Sequence, residues 1–502
     1  YIDGFQVKIL PPEADPMDVR YNVIQWVHRS TRGWSYGMSV RDPRTQEIIK
    51  GHVSLGSLRV RQDYLLAEGL LAPYKPGVDE AEAAKPLEEF ALARIRQLSA
   101  HEVGHTIGLE HNFAASADDR ASVMDYPHPY VTLTDDNKVD VSDAYAVGIG
   151  AWDKQAIRWG YSDFPDDVDA SVARAALMNK LLASGLSFVA DRHARVGSLD
   201  SGAGPCHSRG SLWDNGADPV AELNRLMQLR RVVLDNFSEA VIKEGQPLAK
   251  IEDALVPAYL MHRYQVAAAA TVLGGKNFTY ALKGDGQIPT TVTEAQRQRA
   301  ALDALLATLD PEALSISAEL VALIPPRPPM SGTSRELFPR QTGYVFDSVA
   351  AAATAAELTL RTLLDPARAA RLIQQNSVDA DLPDFAEVLN ALVDAAGPNS
   401  QISAIDEGVA ASTLRFQIQL VEGLSALVGH NGAMPEVRAQ SWHALTLLRG
   451  HFEAALATTF LNQSAISPQT HYAYLVQKIN VMQQQSEFWN ADKLMSPPGS
   501  PI

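Results

Sequence analysis

Residues 101–112, HEVGHTIGLEHN, constrain this chain more than any other stretch. On a helix, His101 and His105 stand at i and i+4, so both imidazoles leave the same face. Such a pair can deliver two nitrogens to one metal ion at about 2.0–2.1 Å each. Glu102 leans over the same place, where a carboxylate can take a proton from an activated water without being a ligand. Gly108 is a natural helix stop, because glycine adopts the left-handed conformation that ends helices. The chain can then return His111 as a third ligand. Three protein nitrogens leave a coordination position open for water, the pattern of catalytic rather than structural zinc. Many helices match HExxH by chance, but Gly108 and His111 at their offsets make chance a much poorer explanation.

The flanking sequence says what kind of scaffold carries that helix. Residues 5–10 (FQVKIL), 21–28 (YNVIQWVH) and 35–40 (SYGMSV) are rich in β-branched and aromatic residues and read as strands. Asp42-Pro43 has the chemistry of a type I turn and predicts a hairpin joining 35–41 to 47–57. The second arm of that hairpin is either plain scaffold or an edge strand beside a cleft. No helix is evident before residue 60. From Pro86 the apolar spacing of Leu87, Phe90, Ile95, Leu98, His105 and Leu109 turns helical.

Beyond about 160 the chain is Ala- and Leu-rich with helical periodicity. Asp218-Pro219 reads as a cap opening a helix through 236, with further helices expected at 252–270, 293–308, 348–375, 384–396, 405–428, 436–460 and 470–486. The stretch 196–217 reads as a long loop, and IPPRPPMSG at 324–332 is the best internal break. The expected fold class is therefore α+β: a mixed sheet plus the active-site helix, followed by a large all-α region. The expected parts are 1–165, 166–324 and 325–502.

Composition excludes some functions. A formal net charge of −16 argues against a nucleic-acid partner, since phosphate binding needs a basic surface. No segment offers the roughly 20 apolar residues of a membrane span. Cys206 is the single cysteine, so no intrachain disulfide forms. The chain opens at Tyr1, without Met, and reads as a fragment or a processed form. The ten other histidines read as surface or packing residues, with His128 the one to watch because it lies just beyond residues 122–127. Asp214, Asn215 and Asp218 are oxygen donors for a possible calcium ion, but the twelve-residue calcium-loop pattern is missing and helix capping by Asp218 explains them better. Oligomeric state is not set by any of this.

SVMDYP at 122–127 places Met124 thirteen residues after His111 and Tyr126 two further on. With HEVGHTIGLEHN, this resembles the metzincin clan of zinc peptidases, which pairs the extended histidine motif with a methionine turn. The helix is similar to that of matrix metalloproteinases, astacins and serralysins. RYNVIQWVHRSTRGWSYG, DPRTQEIIKGHVSLGS and AYAVGIGAWDKQAIRWGYS look like a bacterial family of large metzincin-type peptidases with a helical C-terminal region. The resemblance is strongest over about 15–165.

It implies a zincin-like catalytic domain in which His101, His105 and His111 hold one catalytic zinc and Glu102 is general base and acid. Gly108 and Met124 would be structural, with Met124 packed beneath the metal. Tyr126 stands where astacins and serralysins place a tyrosine that approaches zinc or the oxyanion; matrix metalloproteinases have none there. GHVSLGS resembles the upper-rim strand that pairs with substrate, which implies that His52, Val53, Ser54, Leu55 and Gly56 contact it. Asp153 would be a buried structural acid. The resemblance implies a zinc endopeptidase acting outside the cytoplasm on peptide substrates. Two alternatives stand beside it: a catalytically silent, zinc-containing peptide-binding module, and a zinc hydrolase of a non-peptide amide or ester. Intact Glu102 argues against the first and the edge-strand candidate, weakly, against the second. One departure is that metzincins usually carry a helix between their first strands.

Overall fold

A computed structural model describes residues 5–29, 34–194, 205–397, 407–459 and 466–484. Its first region, through Ala307, is mixed α+β, with a strand pair at Lys276–Phe278 and Thr290–Val292 inside the stretch expected to be all-α; from Ser348 on, the described chain is all-α. Strands β1 (Val23–Val27), β2 (Tyr36–Arg41) and β3 (Ile48–Gly56) form one sheet in the order β1-β3-β2. β3 runs parallel to β1 and antiparallel to β2. The hairpin expected through Asp42-Pro43 is present, closed by Asp42 N–H on the Glu47 carbonyl and Gln46 N–H on the Asp42 carbonyl, with Gln46 at φ +64°.

Two strand expectations change. Residues 5–10 take no strand conformation, and Phe5, Val7 and Ile9 are exposed. Their alternation has no neighbouring strand among the described residues to complete a ladder, and β propensity counts only where a neighbour supplies one. The segment 47–57 is the central strand, not an edge. Its ladder groups are taken on both sides, so His52, Val53, Ser54, Leu55 and Gly56 have no free edge to offer a substrate. Val53 and Leu55 instead pack on Leu98 and Val103 of the helix below. Among the described residues, β2 and β1 are the edges.

Helix α1 (Leu58–Leu71) follows β3 directly, and no sequence signal marked it. Helix α2 (Glu80–Thr106) begins a turn and a half earlier than Pro86 suggests, because Asp79 caps it by accepting from the N–H groups of Ala81 and Glu82. Pro86 lies inside the helix. Glycine lets α2 lie close under the sheet: a Cβ on Gly37 of β2 would stand 2.0 Å from the Glu102 carbonyl oxygen, and one on Gly51 of β3 would stand 2.8 Å from Thr106 Cβ.

Helices α3 (Ala151–Tyr161), α4 (Ala170–Ala183) and α5 (Asp191–Ala194) lead into α6 (Pro219–Asp235), which Asp218 caps as expected. The helix expected over 252–270 is two, α7 (Ile251–Tyr259) and α8 (Arg263–Val272). The one expected over 348–375 is also two, Ser348–Leu363 and Pro366–Val378, split where Asp365 caps a new start at Pro366. Residues 324–332 are without helix, and the remaining helices lie where periodicity places them, at Ala295–Ala307, Phe385–Ala395, Glu407–Val428, Pro435–Thr459 and Ile466–Gln484. Residues 196–204, 405–406, 460 and 485–486 of the expected loop and helices lie outside the described residues. None of the described helices is long and apolar enough to cross a membrane.

One apolar core runs through both regions. Leu66, Leu70, Leu87 and Phe90 of α1 and α2 share it with Leu223, Leu255, Tyr259, Leu360, Leu420 and Leu448. α1 meets α7 so closely that a Cβ on Gly69 would stand 2.5 Å from the Ala254 carbonyl oxygen.

His207 ties the loop before α6 to the strand pair Lys276–Phe278 and Thr290–Val292. Its Nε2 donates to the Phe278 carbonyl at 3.0 Å and its Nδ1 accepts from Arg209 N–H at 3.2 Å, so the neutral ring is fully satisfied. Burial pulls its pKa down to about 4. The unfolded chain, with an ordinary value of about 6.5, binds more protons between those limits, so this stabilisation is lost as pH falls from about 6.5 to about 4. The expected loss is about 1.4 kcal/mol per pH unit, roughly 3 kcal/mol in all. Urea unfolding of wild type and His207→Gln at neutral and acid pH measures it: wild type should lose ground to the variant on acidification. A difference independent of pH would refute the assignment.

Candidate metal centre

The end of α2 sets the site. Thr106 closes the helix, Gly108 takes φ +90°, Leu109 N–H bonds the Gly104 carbonyl and Gly108 N–H bonds the His105 carbonyl. This is the paired 6→1 and 5→2 closure of a Schellman motif. It turns the chain sharply enough for His111 to face the two helical histidines. One ligand nitrogen from each of His101, His105 and His111 lies within 4.8 Å of the others, and among the described residues this is the one such group of three or more metal-ligating side chains found.

The outer nitrogens are all engaged. His101 Nδ1 donates to the Val123 carbonyl at 2.7 Å, His105 Nδ1 to the Leu109 carbonyl at 2.9 Å and His111 Nδ1 to the Asp191 carboxylate at 2.5 Å. Carbonyl and carboxylate oxygens only accept here, so each Nδ1 carries the proton. In the neutral rings each Nε2 is then bare. His105 and His111 nevertheless bring their Nε2 atoms to 3.1 Å. Two lone pairs facing each other repel unless a cation lies between them. Two nitrogens bound tetrahedrally to one zinc stand about 3.3 Å apart, so the donor set fits that ion. Burial, reinforced by the neighbouring histidines, lowers the pKa of His101 and His105 and favours the neutral, ligating form.

Met124 is fully buried under α2, and a Cβ on Gly104 would lie 2.3 Å from its Sδ. Asp153 at the start of α3 holds this turn, accepting from Ser122 Oγ at 2.5 Å, Val123 N–H at 2.8 Å and Gly150 N–H at 2.7 Å. It is the buried structural acid that the resemblance implied. Tyr126 packs its ring 4.6 Å from that of His111 and 5.3 Å from that of His101. Trp213 stacks on the Tyr126 ring at 5.5 Å. His128 is buried, 5.8 Å from the Tyr264 ring, with burial and nearby arginines pulling its pKa down to about 3, and it acts in packing.

Glu102 is buried one residue from His101. Burial pushes its pKa up to about 7, while the Gly37 N–H on edge strand β2 and the Arg94 guanidinium pull it back.

Sequence reasoning missed what surrounds His111. Asn112 accepts from Val189 N–H at 3.2 Å and donates to the Ser187 carbonyl at 2.9 Å. Phe113 N–H bonds the Val189 carbonyl, Ser211 N–H bonds the Phe113 carbonyl and Trp213 N–H bonds the Tyr126 carbonyl. Chain beyond 185 thus clasps the third histidine and the methionine turn. The calcium candidates serve otherwise: Asp214 accepts from Ser116 Oγ, Asn215 donates to the His128 carbonyl, and Asp218 caps α6.

The family described as Met-zincin matches residues 83–400, more than half of the chain. This chain belongs to the Met-zincin family. The histidine cluster inside the matched stretch agrees with that membership, and together they make the protein a zinc metallopeptidase. No curated protein and no solved structure matches it. The Met-zincin match begins within α2, leaves the three-stranded sheet outside, and spans the metal centre and the first helices of the all-α region.

Proposed function

We propose that this Met-zincin is an endopeptidase in which Glu102 is general base and acid. The observation that carries it is Glu102 itself, buried on α2 next to His101 of the histidine cluster and hydrogen-bonded to the N–H of Gly37 on edge strand β2. When bound, zinc acidifies a water and polarises the scissile carbonyl. His101, His105 and His111 would hold the ion with their Nε2 atoms. Glu102 takes the water proton and delivers it to the leaving amine. Tyr126, packed on two of the histidines, assists at the oxyanion. The substrate lies extended along the outer edge of β2, because β3 is paired on both sides.

The test is cleavage of a mixed peptide library by the protein as purified, after zinc removal, and after zinc is returned. Internal cleavage that disappears and reappears with zinc is the expected result. Cleavage that survives complete removal would sink the proposal, and zinc-dependent release of terminal residues alone would make the enzyme an exopeptidase.

A further inference from the structure

The three histidines are not held alike. His101 and His105 ride on α2, whose own ladder fixes their backbone. His111 lies past the Schellman turn, on a loop, and its ring needs an anchor from elsewhere. For His101 and His105 the outer nitrogen meets a neutral backbone carbonyl; for His111 it meets the charged carboxylate of Asp191 at 2.5 Å. Asp191 opens α5, eighty residues along the chain.

We propose that Asp191 is the positioning residue of the metal centre. Its carboxylate accepts the Nδ1 proton of His111, fixes the tautomer whose Nε2 is bare, and makes that nitrogen a better donor to zinc. It is held in place for this. Ser187 N–H bonds Asp118 Oδ2 at 2.7 Å, Val189 pairs with Phe113, and Ala190 N–H bonds Tyr280 Oη at 3.1 Å. His193, two residues on, meets the same Tyr280 Oη at 2.9 Å. Zinc holding is therefore coupled to the docking of 186–194, so the region after the catalytic sheet and helix is part of the metal site.

This inference rests on the zinc reading, and the experiment separates the two. Zinc dissociation constants are measured by chelator competition for wild type, Asp191→Asn and Asp191→Ala, with visible spectra of the cobalt-substituted proteins and melting of the apoproteins. The side chain of Asp191 is one-third exposed, and asparagine keeps its shape and one acceptor, so that variant folds. Asp191→Ala should weaken zinc binding about 10- to 100-fold, with Asp191→Asn between it and wild type. Both should shift the cobalt bands while the apoproteins melt as wild type does. Wild-type zinc affinity and an unshifted cobalt spectrum in Asp191→Ala overturn the proposal. So does a loss of affinity matched by an equal loss of apoprotein stability with the spectrum unchanged. A wild-type protein that takes up no zinc overturns the zinc reading itself, and wild type alone reveals that.

Discussion

Glu102→Gln lowers peptide cleavage by about 10²- to 10⁴-fold at unchanged zinc content. Glutamine keeps the volume and an oxygen that can accept from Gly37 N–H, so the buried pocket stays filled and α2 keeps its contact with β2. It cannot take a proton from water or return one to an amine. The loss should fall on kcat, because proton transfer is made only in the transition state. Stopped assays of zinc-loaded wild type and variant, with metal content measured on the same samples, decide the matter. A zinc-loaded variant that retains a tenth or more of wild-type kcat would remove Glu102 from the reaction. If both proteins hold zinc and neither cleaves, the peptide-binding module becomes the better reading.

A chain cut after residue 165 does not yield a folded, zinc-holding domain. Leu66 and Leu70 are buried on α1, which packs against α7, a helix that the cut removes. At about 1.5–3 kcal/mol for each such side chain, their exposure costs roughly 3–6 kcal/mol. That is a large share of the stability of a typical domain. The cut also removes Asp191, the Val189 and Ser211 backbone partners of Phe113, and Trp213 from the face of Tyr126. Urea unfolding, protease resistance and zinc content of the 1–165 fragment are the measurements. A cooperative transition with one zinc at wild-type affinity would show that the helical region is dispensable to the site.

How much of this was legible in the sequence follows from the range of the interactions. His101, Glu102, His105, Gly108 and His111 lie on one helix and its terminating turn, so their relative placement is dictated by helical pitch and by glycine's tolerance of positive φ. That is why the metal site could be read from twelve residues. Met124 and Asp153 followed from resemblance, since nothing local says that Ser122, Val123 and Gly150 will meet one carboxylate. The helical region was legible as helices, because Ala- and Leu-rich periodicity and Asp-Pro caps are local signals.

Tertiary structure decided the rest. Strand composition places 47–57 in a sheet, but β pairing is made between distant residues, and only the fold shows β1 and β2 closing both of its sides. The edge facing Glu102 therefore passed to β2. Asp191 sits in the plain run FVADRHAR, where no spacing or motif marks it. Its role exists only because the chain after α4 returns to His111, and the single core from Leu66 to Leu448 holds that return in place. The sequence by itself determined which atoms can hold zinc. The tertiary structure determined what orients the third of them, because a hydrogen bond from His111 to a residue eighty positions along leaves no periodic trace in the chain.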